Sequence, residues 1–373
     1  MKTWLEISAS ALRHNYQRVA EFIAPAQVMA VVKSDAYGHG LTLVGEVLKE
    51  TATSFAVDRV EEGVALRRLG IEVPILVLGY TEPALHEQAI EARLTLTVSD
   101  LKQLEQLHFT TQEQQVSTLI HLELETGLYR QGIPEQDIQA VIELLNAAPW
   151  ISVQGMFTHF ANVEEDEKYT YPTRQVEAFK KLSQQFADQG IEAPMRHMAC
   201  SAAALGFKDS LFDAVRLGIG LYGIWSSELT KTQAKKAGLA LTDLKPVLTW
   251  KTVIAQVKDV AAGETIGYDC TETVTRPTRL AVLPIGYYDG FPRNASSRGI
   301  VLVNGMRCKV LGRVCMNMCM IDVTDAPGDI TTGTEVVIIG PGIELEEACE
   351  RAQTIHHDYL ARLSSTIPRQ LVD

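Results

Sequence analysis

A chain of 373 residues is too long for one ordinary core, so it predicts two domains or one barrel with an added domain. Hydrophobic residues at 46% and charged residues at 21% describe an ordinary globular protein. The net charge of -12 excludes nucleic acid and anionic membrane as partners, since both select basic surfaces, but leaves small anions open to local cationic pockets.

No apolar run approaches the roughly 20 residues of a membrane span. Glu6, Arg13, His14 and Arg18 interrupt the start of the chain, which therefore lacks a signal-peptide core. A cytoplasmic location is the expectation.

In chain order, strand-like runs fall at Val28–Lys33, Ser54–Asp58, Pro74–Gly79, Leu94–Ser99, Ser117–Glu125, Ile151–His159, Pro194–Cys200 and Ala214–Ile219. Between most of them lie stretches with helical period, such as Leu41–Glu50, Arg59–Leu69, Glu135–Leu145 and Tyr171–Gln189. Eight strands with crossovers are the count of a closed parallel (β/α)8 TIM barrel. A doubly wound sheet is the alternative, but the regularity of eight units favours the barrel.

After residue 235 the texture changes. Val247–Val257, Arg279–Pro284, Ile300–Val303, Lys309–Val314, Cys319–Val323 and Glu335–Ile339 are short strand candidates. Gly, Asn-Gly and Pro-Gly turns separate them, and Asn304-Gly305 is a strong hairpin signal. This predicts a separate all-β domain. The boundary is expected within Glu228–Thr242, giving residues 1–235 and 236–373, with the first few residues free to pack on the β domain.

Barrel enzymes carry their chemistry at the C-terminal ends of the strands. Those ends here hold Lys33, Asp58, Arg130, His159, Ser201 and Arg216. Lys33 closes a buried apolar run and opens a glycine-rich turn. Lost hydration there should lower its amine pKa toward that of a nucleophile, as a Schiff-base lysine requires. Alone, the pattern also describes a lysine snorkelling out of a strand end. The loops after strands seven and eight read Cys200-Ser201-Ala202-Ala203 and Gly218-Ile219-Gly220-Leu221-Tyr222-Gly223. A serine hydroxyl with glycine-exposed amides makes a phosphate cradle. Lysine and cradle together imply pyridoxal 5′-phosphate. Gly218, Gly220 and Gly223 also fit a dinucleotide fingerprint, but that motif should open the first unit of its sheet, not end the eighth. The six cysteines are too sparse for a disulfide scaffold. Cys315 and Cys319 lack the spacing and histidines of a metal site, so buried reduced thiols and no metal are expected.

Taken together, these motifs resemble alanine racemases, pyridoxal-phosphate enzymes with a barrel and a C-terminal β domain. The resemblance runs nearly end to end. It includes the Lys33 segment, Glu125-Thr126-Gly127-Leu128-Tyr129-Arg130, Phe157-Thr158-His159-Phe160 and Val215-Arg216-Leu217-Gly218-Ile219. It continues through Gly263-Glu264-Thr265-Ile266-Gly267-Tyr268, Ile285-Gly286-Tyr287-Tyr288-Asp289-Gly290 and Gly312-Arg313-Val314-Cys315-Met316.

The resemblance implies an isomerase that interconverts L- and D-alanine for peptidoglycan. Lys33 would serve one face of the substrate Cα, handling the D-isomer, and Tyr268 the other. A tyrosine with its normal pKa of about 10 is a poor base, so cations or hydrogen bonds must assist it. The tyrosine would reach the barrel of a partner subunit, in a head-to-tail homodimer with two composite sites. Arg216 would donate to the cofactor's pyridine nitrogen, and His159 would orient Arg216. Tyr37, Ser201, Gly218 and Ile219 would contact the phosphate. Arg130 would face the substrate carboxylate, with Tyr287 and Met316 at the entrance.

Five departures stand out. Glu123 occupies a position where the family often carries a carbamylated lysine, and it is expected to orient Arg130 directly. Asn317 stands where an aspartate is usual. Cys200 replaces an asparagine and Leu217 a proline. His357 falls at a tyrosine that touches the phosphate, and its smaller ring would widen the pocket, as serine would require. A serine or broad-specificity racemase is therefore the second reading. A noncatalytic cofactor carrier is opposed by Tyr268 and the second domain, and a decarboxylase by Arg216.

Overall fold

The computed structural model describes residues 1–240 and 243–373. They form two compact units. One comprises Ala11–Ala36 and Leu41–Lys245, the other Met1–Ser10, Tyr37–Gly40 and Pro246–Asp373.

Strand β1 (Thr3–Ser8) opens the chain and belongs to the second unit. The first unit is built on β2 (Gln27–Val31), β3 (Ser54–Val57), β4 (Ile75–Val77), β5 (Thr95–Val98), β6 (Thr118–Glu123), β7 (Ile151–Phe157), β8 (Met195–His197) and β9 (Ala214–Leu217). These eight close into a parallel barrel in sequence order, with β9 returning to β2. Every expected run overlaps one of them. Both faces of a barrel strand are covered, which is why the runs read as continuous apolar stretches rather than alternations. Ser54–Val57 and Thr95–Val98 are buried at every position.

Crossover helices lie at Leu41–Leu48, Val60–Arg68, Ile138–Ala147 and Thr170–Ala187, close to the periodic stretches. Helix Leu101–Gln114 shows the local logic of their ends. Asp100 caps it by accepting from the Gln103 amide at 2.8 Å, and Gln115 stops it in a left-handed conformation. The expected boundary stretch begins as a helix, Glu228–Lys236, capped by Ser227. Leu241 and Thr242, at its end, lie outside the described residues.

The second unit holds β10 (Leu248–Val253), β11 (Gln256–Val260), β12 (Thr265–Ile266), β13 (Glu272–Thr273), β14 (Thr278–Leu283), β15 (Ile300–Val303), β16 (Met306–Leu311), β17 (Cys319–Asp322), β18 (Glu335–Ile339) and β19 (Arg369–Val372). Nine of its strands form one sheet in the order β11-β14-β17-β16-β15-β18-β10-β1-β19. The Asn304-Gly305 hairpin joins β15 to β16 as expected, both turn residues taking positive φ (48° and 78°). Val247–Val257 is corrected from one strand to two. The chain changes partners at Ile254-Ala255, whose amides bond to Thr334 O and Val282 O, so β10 pairs with β18 and β11 with β14. The sheet also carries two helices absent from the sequence reading, Leu345–Ala352 and His356–Ala361. All six cysteines are free. Cys319 is buried as expected, together with Cys308 and Cys349, but Cys315 is only partly buried, which corrects the expectation for that residue.

At Gly155 in β7, an added Cβ would lie 2.6 Å from His121 Cε1 and 2.7 Å from Met195 O. The absent side chain is the space in which His121 sits. Gly155→Ala should therefore destabilise the barrel by about 1–3 kcal/mol, as overpacking does. A lower urea midpoint with unchanged far-ultraviolet dichroism is the expected result.

Candidate active site

The carboxyl ends of the barrel strands gather most of the predicted residues. Lys33 follows β2, Glu123 ends β6, His159 follows β7, Ser201 opens the helix after β8, and Arg216 lies in β9. Lys33 Nζ stands 3.4 Å from Asp58 Oδ1, beyond the end of β3. After Lys33 the backbone takes a left-handed turn. Ser34, Asp35, Ala36 and Tyr37 have φ of 57°, 54°, 53° and 54°. That conformation costs an L-residue about 1–2 kcal/mol. It is held in part by Leu41 N donating to Asp35 Oδ1 at 2.8 Å and Ala36 N to Val32 O at 2.9 Å.

Arg216 is the most heavily bonded of these groups. It is 5% exposed. One terminal nitrogen donates to His197 Nδ1 at 2.7 Å and His197 O at 3.1 Å. The other donates to Thr158 O at 2.8 Å, His159 Nδ1 at 3.0 Å and Met198 O at 3.2 Å. The guanidinium carbon lies 5.1 Å from the Phe157 ring centre. A guanidinium has donors only, so both imidazole Nδ1 atoms must accept, and each neutral ring carries its proton on Nε2. His197 Nε2 then donates to His121 Nδ1, 2.9 Å away. Arg216→His197→His121 is thus a directed chain.

The charges agree with this direction. Burial, then Arg216, then Arg130 and Lys33 hold His159 well below its usual range. Burial, then Arg216 and His121, does the same to His197. The combined influence of Lys33, Arg130 and Arg216 on one imidazole marks a shared cationic end of the barrel. His197 and His121 were not singled out in the sequence. Their signal was inward alternation: His121 and Glu123 are two apart in β6, and His197 ends β8.

Ser201 Oγ accepts from the amides of Gly218 (3.0 Å) and Gly220 (3.1 Å). The hydroxyl proton is left to donate elsewhere, which suits a phosphate oxygen. Ile219 begins the short helical turn between those glycines. The cationic end, the nucleophile-type lysine and this cradle fit pyridoxal phosphate in charge and donor type.

Glu123 is 2% exposed, but its carboxylate takes its hydrogen bond from Gln131 Nε2 rather than from Arg130. This corrects the expected direct contact. Gln131 Nε2 also donates to Leu78 O at 3.1 Å. Burial raises the Glu123 pKa, and Gln131, Arg216 and Arg130 oppose that rise. Arg130 itself is exposed.

The remaining predicted residues belong to the second unit. Tyr268 is 69% exposed, with Asp269 beside it paired to Arg313 Nε at 2.7 Å. Tyr287, Met316 and Asn317 are exposed. Tyr287 N bonds to Cys315 O and Tyr288 N to Met316 O, which laces the two loops together. His357 and Tyr37 have ring centres 5.9 Å apart. No group of metal-ligating side chains occurs among the described residues.

The histidine chain has a pH signature. Burial and then Arg216 lower His121 from 6.5 to about 4. The unfolded chain takes up this proton near pH 6.5 while the folded protein refuses it. The stability associated with neutral His121 is therefore complete above about pH 6.5 and is lost as pH falls toward about 4. His121→Phe should flatten the fall in Tm between those limits; an unaltered acid limb would remove His121 from the account.

Comparison with known proteins identifies the family. Residues 7–226 match the model of the alanine racemase N-terminal domain, and residues 247–371 that of the C-terminal domain. The chain is 39% identical over 371 residues to an alanine racemase of Desulforamulus reducens, covering 98% of each chain. An alanine racemase of Methanococcus maripaludis is 35% identical, with 98% of this chain and 97% of that protein covered. Among solved structures, the alanine racemase of Streptomyces lavendulae superposes with a TM-score of 0.93 at 30% identity, covering 100% of this chain and 97% of that one. The Bartonella henselae enzyme, solved with covalently bound pyridoxal phosphate, gives 0.88 at 26% identity over 100% of both chains. With both domains matched in order along nearly its whole length, the chain belongs to the alanine racemase family.

Proposed function

We propose that this chain interconverts L-alanine and D-alanine with pyridoxal 5′-phosphate held at Lys33. The observation that carries the reading is that Lys33, His159 and Arg216 all stand at the carboxyl ends of barrel strands, with Arg216 bonded to His159 Nδ1 at 3.0 Å. The bound cofactor supplies an electron-poor ring conjugated to the substrate nitrogen, which acidifies the Cα–H. Lys33 Nζ takes or returns the proton on one face of Cα, and Tyr268 of the partner subunit acts on the other. Arg216 cannot give up its proton, so it would present only a donor to the cofactor's ring nitrogen. His159 and His197 fix the guanidinium plane. Ser201, Gly218, Ile219, Tyr37 and His357 hold the phosphate. Arg130 would receive the substrate carboxylate, with the buried Glu123 acting on it through its charge and with Tyr287, Met316 and Asn317 of the partner subunit at the entrance.

This reading treats residues 1–235 as the cofactor barrel and 236–373 as the domain that completes the site of a second copy. The exposure of Tyr268, Tyr287 and Met316 supports a homodimer. D-alanine for peptidoglycan, made in the cytoplasm, is the role the activity implies. No helix among the described residues is long and apolar enough to cross a membrane.

A chiral-resolved assay on L-alanine tests the reading. Lys33→Ala should abolish turnover, and Tyr268→Phe should cut kcat by about 10²–10⁴-fold. Mixed hybrids of the two variants should regain activity, because one composite site per hybrid is intact. Turnover surviving in Lys33→Ala would overturn the assignment, and inactive hybrids would overturn the shared site.

Serine is the second substrate to test, because the family resemblance puts His357 at a phosphate-side position, and its ring centre lies 5.9 Å from that of Tyr37. His357→Tyr should depress serine turnover more than alanine turnover; equal losses would leave His357 without a role in specificity.

A further inference from the structure

Glu62 lies on the crossover helix Val60–Arg68. Its two carboxylate oxygens serve three backbone amides from two different loops. Oε1 accepts from Asp35 N at 3.3 Å, within the left-handed turn that follows Lys33. Oε2 accepts from Asp58 N at 2.9 Å and Arg59 N at 3.3 Å, in the loop after β3. Asp58 is also the residue whose carboxylate meets Lys33 Nζ. One side chain therefore ties the backbone behind Lys33 to the backbone carrying its ionic partner. The tied turn is a strained one, with positive φ at four successive non-glycine residues. Such a turn persists only where its surroundings over-determine it.

We propose that Glu62 is a positioning residue for Lys33: it pins the left-handed turn Ser34–Tyr37 to the Asp58 loop and so fixes where the lysine amine stands. The inference deepens the proposed function and rests on Lys33 being the residue that holds the cofactor. An ordinary helix-capping glutamate would need only the Arg59 amide. The bond to Asp35 N is what carries the argument further.

The test is the rate at which added pyridoxal phosphate becomes attached to Lys33 in the cofactor-stripped, full-length protein. Timed quenching with borohydride fixes the label, and peptide mass spectrometry reports its position. Glu62→Gln replaces one acceptor by a donor and should slow labelling by about tenfold or more, since a misplacement of about 1 Å is worth up to 10²-fold. In the reloaded enzyme, kcat should fall while KM for alanine holds. Asp100→Ala removes a cap of the same kind from helix Leu101–Gln114 and is the control for mere loss of stability. It should leave labelling within about twofold, in line with an effect confined to helix stability. Adding Ser34→Gly to Glu62→Gln relieves the left-handed strain and should restore much of the rate. Normal labelling in Glu62→Gln, equal slowing in Asp100→Ala, or no rescue by Ser34→Gly would each overturn the proposal. Label that persists in Lys33→Ala would instead sink the assignment of Lys33 itself.

Discussion

The buried guanidinium of Arg216 is the constraint from which much of the barrel interior follows. A cation removed from water is stable only if its donors are met, and the barrel meets them with three carbonyls and two imidazole nitrogens. Those acceptors fix the tautomers of His159 and His197. The His197 tautomer in turn presents a proton to His121, and room for His121 is provided by Gly155 in the neighbouring strand. Phe157 closes the assembly by stacking on His197 with ring centres 4.9 Å apart and lying against the guanidinium. Residues from β6, β7, β8 and β9 are thus fixed by one charge.

That charge also explains why an acidic protein can host an anionic cofactor. The net charge of -12 is a property of the surface as a whole. At the carboxyl ends of the strands Lys33, Arg130 and Arg216 all act on His159, so cations are concentrated there. The histidines remain neutral there because a second cation beside Arg216 would be repelled and poorly hydrated. A neutral imidazole, like an amide or hydroxyl oxygen, accepts from arginine without cancelling its charge. A carboxylate in the same place would accept equally well but would erase the field that favours an anion.

The fold was legible because barrel strands are buried on both faces, so eight continuous apolar runs stand out between amphipathic helices. Lys33, Ser201 and Arg216 were legible because each breaks such a run, or follows one, with a polar group. What stayed hidden depended on side chains meeting across strands. Nothing local in Met195–His197 marks His197 as the acceptor of Arg216, and nothing near Glu62 tells that its carboxylate reaches Asp35. Strand Thr3–Ser8 was concealed for a similar reason: its partners, β10 and β19, lie more than two hundred residues away in the chain. The left-handed turn was concealed differently, since Ser34, Asp35, Ala36 and Tyr37 have no glycine to announce positive φ.

Glu123 shows how a departure from a family pattern is absorbed. A carboxylate buried at the end of β6 must be stabilised or take up a proton, and the sequence alone suggested Arg130 as its partner. The structure supplies an amide instead, from Gln131, the residue next to that arginine. Gln131 is itself anchored to the carbonyl of Leu78, so the bond comes from a fixed donor and costs little ordering of a long side chain. Arg130 still lowers the Glu123 pKa through its field, but it does so without a direct ion pair among the described residues. Its guanidinium therefore remains exposed, with donors available to an incoming carboxylate. A neutral amide that satisfies the buried acid leaves the Arg130 cation uncommitted, as its proposed role at the substrate carboxylate requires; a direct Glu123–Arg130 pair would have consumed it.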